Sequence, residues 1–193
     1  MLCKIRRNGT LGLERSEFLT AHFRKEVFPT THFFYYETSL GTIGIFESGS
    51  ALTELCFGRR PEPVDSSNEE TDLLRTAARQ LREYLAGKRH AFGLPLSPAG
   101  TPFQHLVWNS LLSIPYGETR SYGDVARDIG NFKACRAVGM ANNRNPIPVF
   151  IPCHRVIGSD GSLVGYGAGL EVKERLLRLE GVPAFVKGSS ESC

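Results

Sequence analysis

The stretch Ser121–Asn143, SYGDVARDIGNFKACRAVGMANN, decides the architecture of the C-terminal half, because it predicts two short helices joined by a tight turn. Ser121 and Asp124 form a Ser-x-x-Asp capping pattern, which is typical of a helix start. Gly130 favours the turn, and a second helix is predicted over Lys133–Asn143. The pair has the proportions of a helix-turn-helix, although two packed helices of a small bundle would show the same pattern.

The second helix of this pair presents two different faces. One is a narrow apolar face, formed by Ala134, Ala137, Val138 and Ala141. The other face carries Lys133, Arg136, Met140 and Asn143. No Asp or Glu occurs between Asp128 and Asp160, whereas four cations do: Lys133, Arg136, Arg144 and Arg155. Local positive charge is typical of a surface that faces phosphates, although the net charge of +3 would not by itself indicate nucleic acid.

The N-terminal half predicts a sheet covered by one helix. Between His32 and Phe57, aromatic and β-branched residues broken by glycines predict two or three antiparallel strands. A polar loop, Gly58–Glu70, precedes apolar residues at helical spacing over Leu73–Leu85. The segment Lys88–Pro102 is either a linker or an irregular strand.

Two further helices complete the C-terminal half. One is predicted over Phe103–Leu112, with Leu106, Val107 and Leu111 inward, and the other over Leu170–Glu180, ended by Gly181. The expected fold class is α/β (α+β), with an N-terminal antiparallel sheet and a C-terminal helical lobe that holds a helix-turn-helix of winged-helix type. The expected division is a sheet-and-helix domain at 1–100, a helical domain at 101–181 and a tail at 182–193.

The composition is that of an ordinary globular chain, with 193 residues of which 41% are hydrophobic and 22% charged. No stretch approaches the ~20 apolar residues of a membrane span, and no apolar signal region is present, so we expect a cytoplasmic protein, or a nuclear one in a eukaryote. The five cysteines are scattered and lack a Cys-x-x-Cys pair. They predict neither a disulfide framework nor a structural metal.

The stretch Ile151–Val156, IPCHRV, places a thiol beside an imidazole and a guanidinium. A free cysteine titrates near ~8.5, so a neighbouring base or cation is the usual way to raise its thiolate fraction. The adjacency of Cys153 and His154 is weak on its own, because most isolated Cys-His pairs are structural.

Several other motifs accompany this stretch in a specific order and spacing. They are Ser121-Tyr122, Arg136-Ala137-Val138-Gly139, Asn145-Pro146, Gly165-Tyr166 and Val172-Lys173-Glu174. Together they resemble the O6-alkylguanine-DNA alkyltransferase family, strongly over about residues 103–181 and only compatibly over the sheet. The resemblance implies DNA repair by irreversible, stoichiometric transfer of an alkyl group from O6 of guanine, and less well from O4 of thymine, to Cys153. The thioether product offers water no carbonyl to attack, so one molecule repairs one lesion.

The resemblance also implies the partners of the nucleophile. His154 acts as its base through a bridging water, Glu174 orients the imidazole, and Asn145 ties the second helix to the nucleophile strand. Apolar neighbours on both sides of its helix favour an inward Glu174. A salt bridge to an arginine such as Arg155 is the alternative, and Asn145 could equally be a turn former before Pro146.

The implied partner is double-stranded DNA, bound by a monomer through the minor groove with the alkylated nucleotide flipped out. Arg136 takes the place of the missing nucleotide, while Tyr122 turns the 3′ phosphate and donates to guanine N3. A phosphate contact for Arg136 and a core position for Tyr122 are the ordinary alternatives. The remaining DNA-binding residues are expected to be Lys133, Ala134, Ala137 and Arg144.

The pocket residues follow from the same resemblance. Backbone carbonyls of Cys153 and Val156 are expected to accept from the guanine amino group, and Tyr166 and Gly167 to line the O6 side. The methyl group of Ala168 narrows the pocket against bulky alkyl groups. No cofactor is expected, because the run at 165–169, GYGAG, misses the G-x-G-x-x-G spacing.

Two other functions compete with this one. Alkyltransferase-like lesion binders recognise damaged DNA without chemistry, but they lack the acceptor cysteine that this chain has. A Cys-His hydrolase would turn over many substrates through an acyl intermediate, and no sequence feature indicates an oxyanion hole.

Overall fold

The structure, a computed structural model, describes residues 30–182 and Phe185. Cys3 and Cys193, residues 1–29 and nearly all of the expected tail lie outside the described residues.

The N-terminal lobe is a four-stranded sheet in the order β3-β2-β1-β4. Its strands are β1 (Thr31–Thr38), β2 (Gly41–Ser48), β3 (Ala51–Phe57) and β4 (Ser66–Asn68). The predicted antiparallel strands β1 to β3 are confirmed. The sheet as a whole is mixed, because β4 forms inside the predicted polar loop and pairs in parallel with β1.

One helix, α1 (Asp72–Leu85), covers this sheet. Thr71 caps it by accepting from the backbone N–H of Leu74, which satisfies one of the unpaired amides of the first turn. Its buried face consists of Leu74, Ala77, Ala78, Gln80, Leu81 and Tyr84. The side chain of Tyr84 therefore points from the last turn into the interior.

The segment after α1 behaves as an irregular strand. Leu52 of β3 donates to the carbonyl of Pro95 at 2.8 Å and accepts from the amide of Ser97 at 2.8 Å. These two bonds attach the connection between the lobes to the edge of the sheet.

The C-terminal lobe contains four helices and a small parallel sheet. They are α2 (Pro102–Leu112), β5 (Arg120–Ser121), α3 (Tyr122–Asp128), α4 (Cys135–Asn143), β6 (Val156–Ile157), which pairs with β5, and α5 (Leu170–Leu179). The predicted Ser121–Asp124 capping box at the start of α3 is present in full. Leu106 was predicted to face inward, but it is 56% exposed, because Val107, Trp108 and Leu111 form the buried face of α2.

The two lobes share one hydrophobic core, which runs from Leu52 and Tyr84 to Val138 and Cys153. A backbone bond from Leu55 of β3 to the carbonyl of Pro146, 2.8 Å, joins the sheet to the segment that precedes Cys153. No helix within the described part of the chain is long and apolar enough to span a membrane.

Candidate functional site

The segment between α4 and Cys153 is held in place by partly buried hydrogen bonds. The Asn145 side chain donates to the carbonyl of Ile151 at 2.9 Å and accepts from the amide of Ile147 at 3.0 Å. Val149 is buried with a φ of 74°, a region that β-branched residues rarely adopt. Such a conformation costs roughly 1–3 kcal/mol and persists only where the surrounding packing imposes it. Cys153 follows at the start of a single 3-10 turn, Cys153–Arg155.

Cys153 lines a cavity of about 280 Å³ between the two lobes. The sheet contributes Leu55, Cys56 and Phe57; the end of α4 and the following segment contribute Asn142, Asn143, Asn145 and Pro148; a loop contributes Tyr166, Gly167 and Ala168. Pockets for drug-sized ligands begin near 300 Å³, so this volume suits a single flat ring system. The predicted pocket residues Tyr166 and Gly167 thus lie beside the nucleophile.

The thiol of Cys153 is a poor nucleophile in this state. Burial raises its pKa to about 11, although hydrogen bonding to Asn145 and Tyr166 and the positive charge of Lys173 act in the opposite direction. The thiol is therefore protonated at neutral pH, and a base must remove its proton before it can attack.

His154 supplies such a base. Its side chain is fully buried, and its Nε2 lies 2.9 Å from Oε1 of Glu180. Because a carboxylate only accepts, Nε2 carries the hydrogen and Nδ1 is left with a lone pair. Nδ1 is buried and bonds to no described residue. Burial, together with the positive charges of Arg155 and Lys173, lowers the pKa of His154 against the opposing effect of Glu180, so the imidazole is neutral and able to accept a proton.

Glu180 collects donors from three parts of the chain. Arg155 donates to both carboxylate oxygens, the Tyr84 hydroxyl donates to Oε1 at 2.6 Å, and the amide of Gly117 donates to Oε2 at 3.1 Å. Burial alone would raise the pKa of Glu180, but the hydrogen bonds from His154, Arg155 and Tyr84 outweigh it and hold the pKa at about 2. Glu180 is therefore a permanent negative charge beside the imidazole.

The prediction that Glu174 orients the imidazole of His154 is wrong. Glu174 pairs with Arg178 one turn along α5 at 2.8 Å, so its predicted alternative, a salt bridge to an arginine, describes it better. The inner face of α5 is formed by Lys173, Leu176, Leu177 and the C-cap residue Glu180. At 100° per residue, Lys173 and Glu180 lie about 20° apart around the helix, whereas Glu174 is turned about 100° away from Lys173.

Lys173 is a second buried charge that the sequence motifs did not assign. Its Nζ donates to the carbonyls of Val156 at 2.6 Å and Val164 at 2.8 Å, and burial lowers its pKa to about 8. The expected pocket role of Val156 is not what the structure shows. Its side chain is fully buried, it does not line the cavity, and its carbonyl is already bonded to the ammonium group.

Tyr122 stands at the start of α3, between α4 and the loop that carries Tyr166. Its hydroxyl donates to the carbonyl of Val164 at 3.3 Å, and its ring lies next to Gly139, where an added Cβ would be 3.8 Å away. Burial, together with the proximity of Cys153, raises the pKa of Tyr122 to about 12. The phenol thus remains a proton donor across the physiological range.

The last residues of α4, Asn142 and Asn143, line this cavity, and the charged surface of the helix-turn-helix is carried by the same helix and its flanks. The exposed side chains include Lys133, Arg136, Ala137 and Arg144. Ala134, expected to contact DNA, instead packs in the core at the N-cap of α4, because Ala134, Val138 and Ala141 form the inner face of the helix. Arg155, counted with the local cations, is also buried, since Glu180 binds it.

Sequence reasoning missed Glu180, Lys173 and Tyr84. The spacing of buried positions 173, 176, 177 and 180 is a helical face, so the inward direction of Glu180 was readable once α5 was placed. The contact between Tyr84 and Glu180 spans 96 residues of sequence, and no local pattern predicts it.

The fold and the site define a protein with a buried free cysteine, a neutral buried histidine beside it and a helix-turn-helix that carries exposed cations. Residues 32–98 match the domain family described as 6-O-methylguanine DNA methyltransferase, ribonuclease-like domain. Residues 102–182 match the one described as 6-O-methylguanine DNA methyltransferase, DNA binding domain.

Individual proteins show the same relationship. The chain is 59% identical over 147 residues to the methylated-DNA–protein-cysteine methyltransferase of Methanosarcina barkeri, covering 75% of this chain and 93% of the relative. It is 50% identical over 149 residues to that of Methanosarcina acetivorans, covering 76% and 96%. The structure of Mycobacterium tuberculosis OGT in complex with DNA is similar with a TM-score of 0.73 and 43% identity, covering 77% of this chain and 92% of that one. The chain belongs to the O6-methylguanine DNA methyltransferase family.

Proposed function

We propose that this protein repairs DNA by moving the alkyl group of O6-alkylguanine, and less well of O4-alkylthymine, onto its own Cys153. The observation that supports the proposal is that three features lie close together in the structure. The Cys153 thiol faces a cavity of about 280 Å³, a neutral imidazole with a free Nδ1 follows it in the chain, and the exposed Arg136 helix adjoins the cavity wall.

The proposed reaction begins with transfer of the thiol proton of Cys153 to Nδ1 of His154 through a bridging water. The negative charge of Glu180 stabilises the resulting imidazolium. The sulfur then attacks the alkyl carbon, so an S–C bond forms while the C–O6 bond breaks and its electrons pass to the guanine ring. The Tyr122 phenol donates toward guanine N3 and supports the departing base. The product is a thioether, which no group of the site can hydrolyse.

The substrate must leave the double helix to reach this cavity, at a cost of a few kcal/mol. In our proposal the α4 helix enters the minor groove and Arg136 fills the space of the flipped nucleotide. Ala137 allows close approach because it is small and exposed, while Lys133 and Arg144 pair with phosphates. The similarity to a relative solved in complex with DNA supports DNA as the partner.

Intact-mass spectrometry after mixing with O6-methylguanine duplex DNA tests the proposal. One methyl group per molecule is expected, on the peptide that contains Cys153. The cavity offers a matched control, because Cys56 lines it as well. Cys56→Ala should still take up one methyl group, and Cys153→Ala should take up none while it still binds DNA.

The competing functions give different results in the same experiment. A lesion binder would hold the DNA with an unchanged mass. A hydrolase would release product in excess over protein and leave no methyl group on Cys153. Either result would remove the proposal.

A further inference from the structure

Tyr84 reaches the site from the other lobe of the protein. It belongs to α1, which packs on the sheet, and its side chain is fully buried. Its ring lies 5.2 Å from that of Phe92 and 6.1 Å from that of Tyr116, measured between centroids. Its hydroxyl donates to Oε1 of Glu180 at 2.6 Å and lies 3.4 Å from Nε2 of His154. Among the described residues, it is the donor to Glu180 that the sheet lobe supplies.

Tyr84 and His154 compete for the same oxygen. Oε1 of Glu180 accepts from the Tyr84 hydroxyl at 2.6 Å, from Nε2 of His154 at 2.9 Å and from Nη2 of Arg155 at 2.9 Å. The donors Tyr84 and Arg155 withdraw negative charge from the carboxylate, so both weaken its ability to stabilise a protonated imidazole. The bond from Tyr84 is the shortest of the three.

We infer that Tyr84 is a positioning residue that tunes the basicity of His154 through Glu180. The hydroxyl of Tyr84 keeps part of the carboxylate charge away from the imidazole, and His154 therefore stays a neutral base at physiological pH. The inference rests on the proposed function, in which His154 takes the proton of Cys153. It also gives the sheet lobe a part in the chemistry, because the acid–base set is complete only when α1 is docked.

Other charged or titratable groups face His154 and Glu180 and must stay constant in any test. They are Arg155, Lys173 and Tyr116, and Tyr166 in addition faces Tyr84 and Cys153. Tyr116 provides a matched control, since its hydroxyl lies in the same cluster but donates to the backbone carbonyl of Leu179 at 2.9 Å. Removing that hydroxyl takes a partly buried hydrogen bond from the cluster without removing a donor from Glu180.

The experiment measures the rate of single-turnover methyl transfer between about pH 5 and 9 for the wild type, Tyr84→Phe and Tyr116→Phe. Loss of the Tyr84 hydroxyl leaves more negative charge on Glu180, which raises the basicity of His154. Because only neutral imidazole accepts the proton, the acidic limb of the rate profile should move to higher pH by on the order of 0.5–1 unit. At a fixed pH on the acidic limb the rate should then fall about 3–10-fold, with little change on the plateau above the limb, and Tyr116→Phe should keep the wild-type profile.

A second variant reverses the sign of the perturbation. Replacing Tyr84 by 3-fluorotyrosine makes the phenol more acidic and a stronger donor, so the limb should move to lower pH. The 3-fluorotyrosine variant keeps the hydroxyl, so it serves as the test if the Tyr84→Phe variant does not fold. The titration of His154, followed by NMR, should shift in the same directions in both variants.

The inference would be overturned if the acidic limb of the pH–rate profile did not move in the Tyr84 variants, or if it moved equally in Tyr116→Phe. Failure of the proposed function looks different, because the wild type would then leave Cys153 unmodified at every pH. In that case the NMR titration of His154 still decides whether Tyr84 controls its basicity.

Discussion

Replacing Glu180 by Gln tests the acid–base set most directly. The substitution keeps the size of the side chain but removes a charge whose side chain is fully buried and bound to His154 and Arg155. Removing one partner of a buried ion pair lowers the free energy of unfolding by about 3–5 kcal/mol, because the remaining charge is left without a partner. The guanidinium of Arg155 is that remaining charge, since its side chain is only 8% exposed.

The chemical effect of Glu180→Gln adds to the loss of stability. A glutamine can donate its amide hydrogen to Nε2, which would place the imidazole hydrogen on Nδ1 and prevent His154 from accepting a proton. General-base catalysis typically contributes about 10²–10⁴-fold, so methyl transfer should slow by that range. The assays are single-turnover transfer, followed by the mass of the protein, and urea unfolding.

Glu174→Gln on the same helix is the matched control. Its ion pair with Arg178 is an (i, i+4) pair whose arginine is 65% exposed, and such helix pairs contribute about 0.3–0.5 kcal/mol. Transfer should therefore remain near the wild-type rate and stability should change little. The reasoning fails if Glu174→Gln is the inactive variant, or if Glu180→Gln transfers the methyl group at the wild-type rate.

Four further outcomes are expected. The pKa of Glu180 is held at about 2, below its ordinary 4.5, so its contribution to stability is complete above about pH 4.5 and is lost as the pH falls toward 2; acid unfolding should show this loss in the wild type and not in Glu180→Gln. Lys133→Ala should reduce the slope of log K for DNA binding against the logarithm of the salt concentration by about one phosphate contact. Arg136→Ala should slow methyl transfer from duplex DNA about tenfold and leave the reaction with free O6-benzylguanine unchanged. Equal losses of rate on both substrates would contradict the role of Arg136. Ala168→Gly should widen the cavity that Ala168 lines and speed reaction with O6-benzylguanine more than with O6-methylguanine, as a ratio of rate constants measures.

Much of the local structure could be predicted because its signals are local. Strands β1 to β3 follow from aromatic and β-branched runs between glycines, and the start of α3 follows from a capping box of four residues. Cys153 and His154 are likewise adjacent in the sequence itself. Strand β4 escaped prediction because three polar residues pair only when a neighbouring strand edge is available to them.

What the sequence by itself determined is the helices, the strands β1 to β3, the adjacency of Cys153 and His154, and the family resemblance. What only the tertiary structure decided is which groups meet. The angle at which α5 packs selects Glu180 rather than Glu174 as the partner of His154, and the docking of α1 brings in Tyr84 from 96 residues away. The physical reason is that periodicity and capping act over a few residues, whereas the partner of a buried charge depends on how separate elements pack around a shared core.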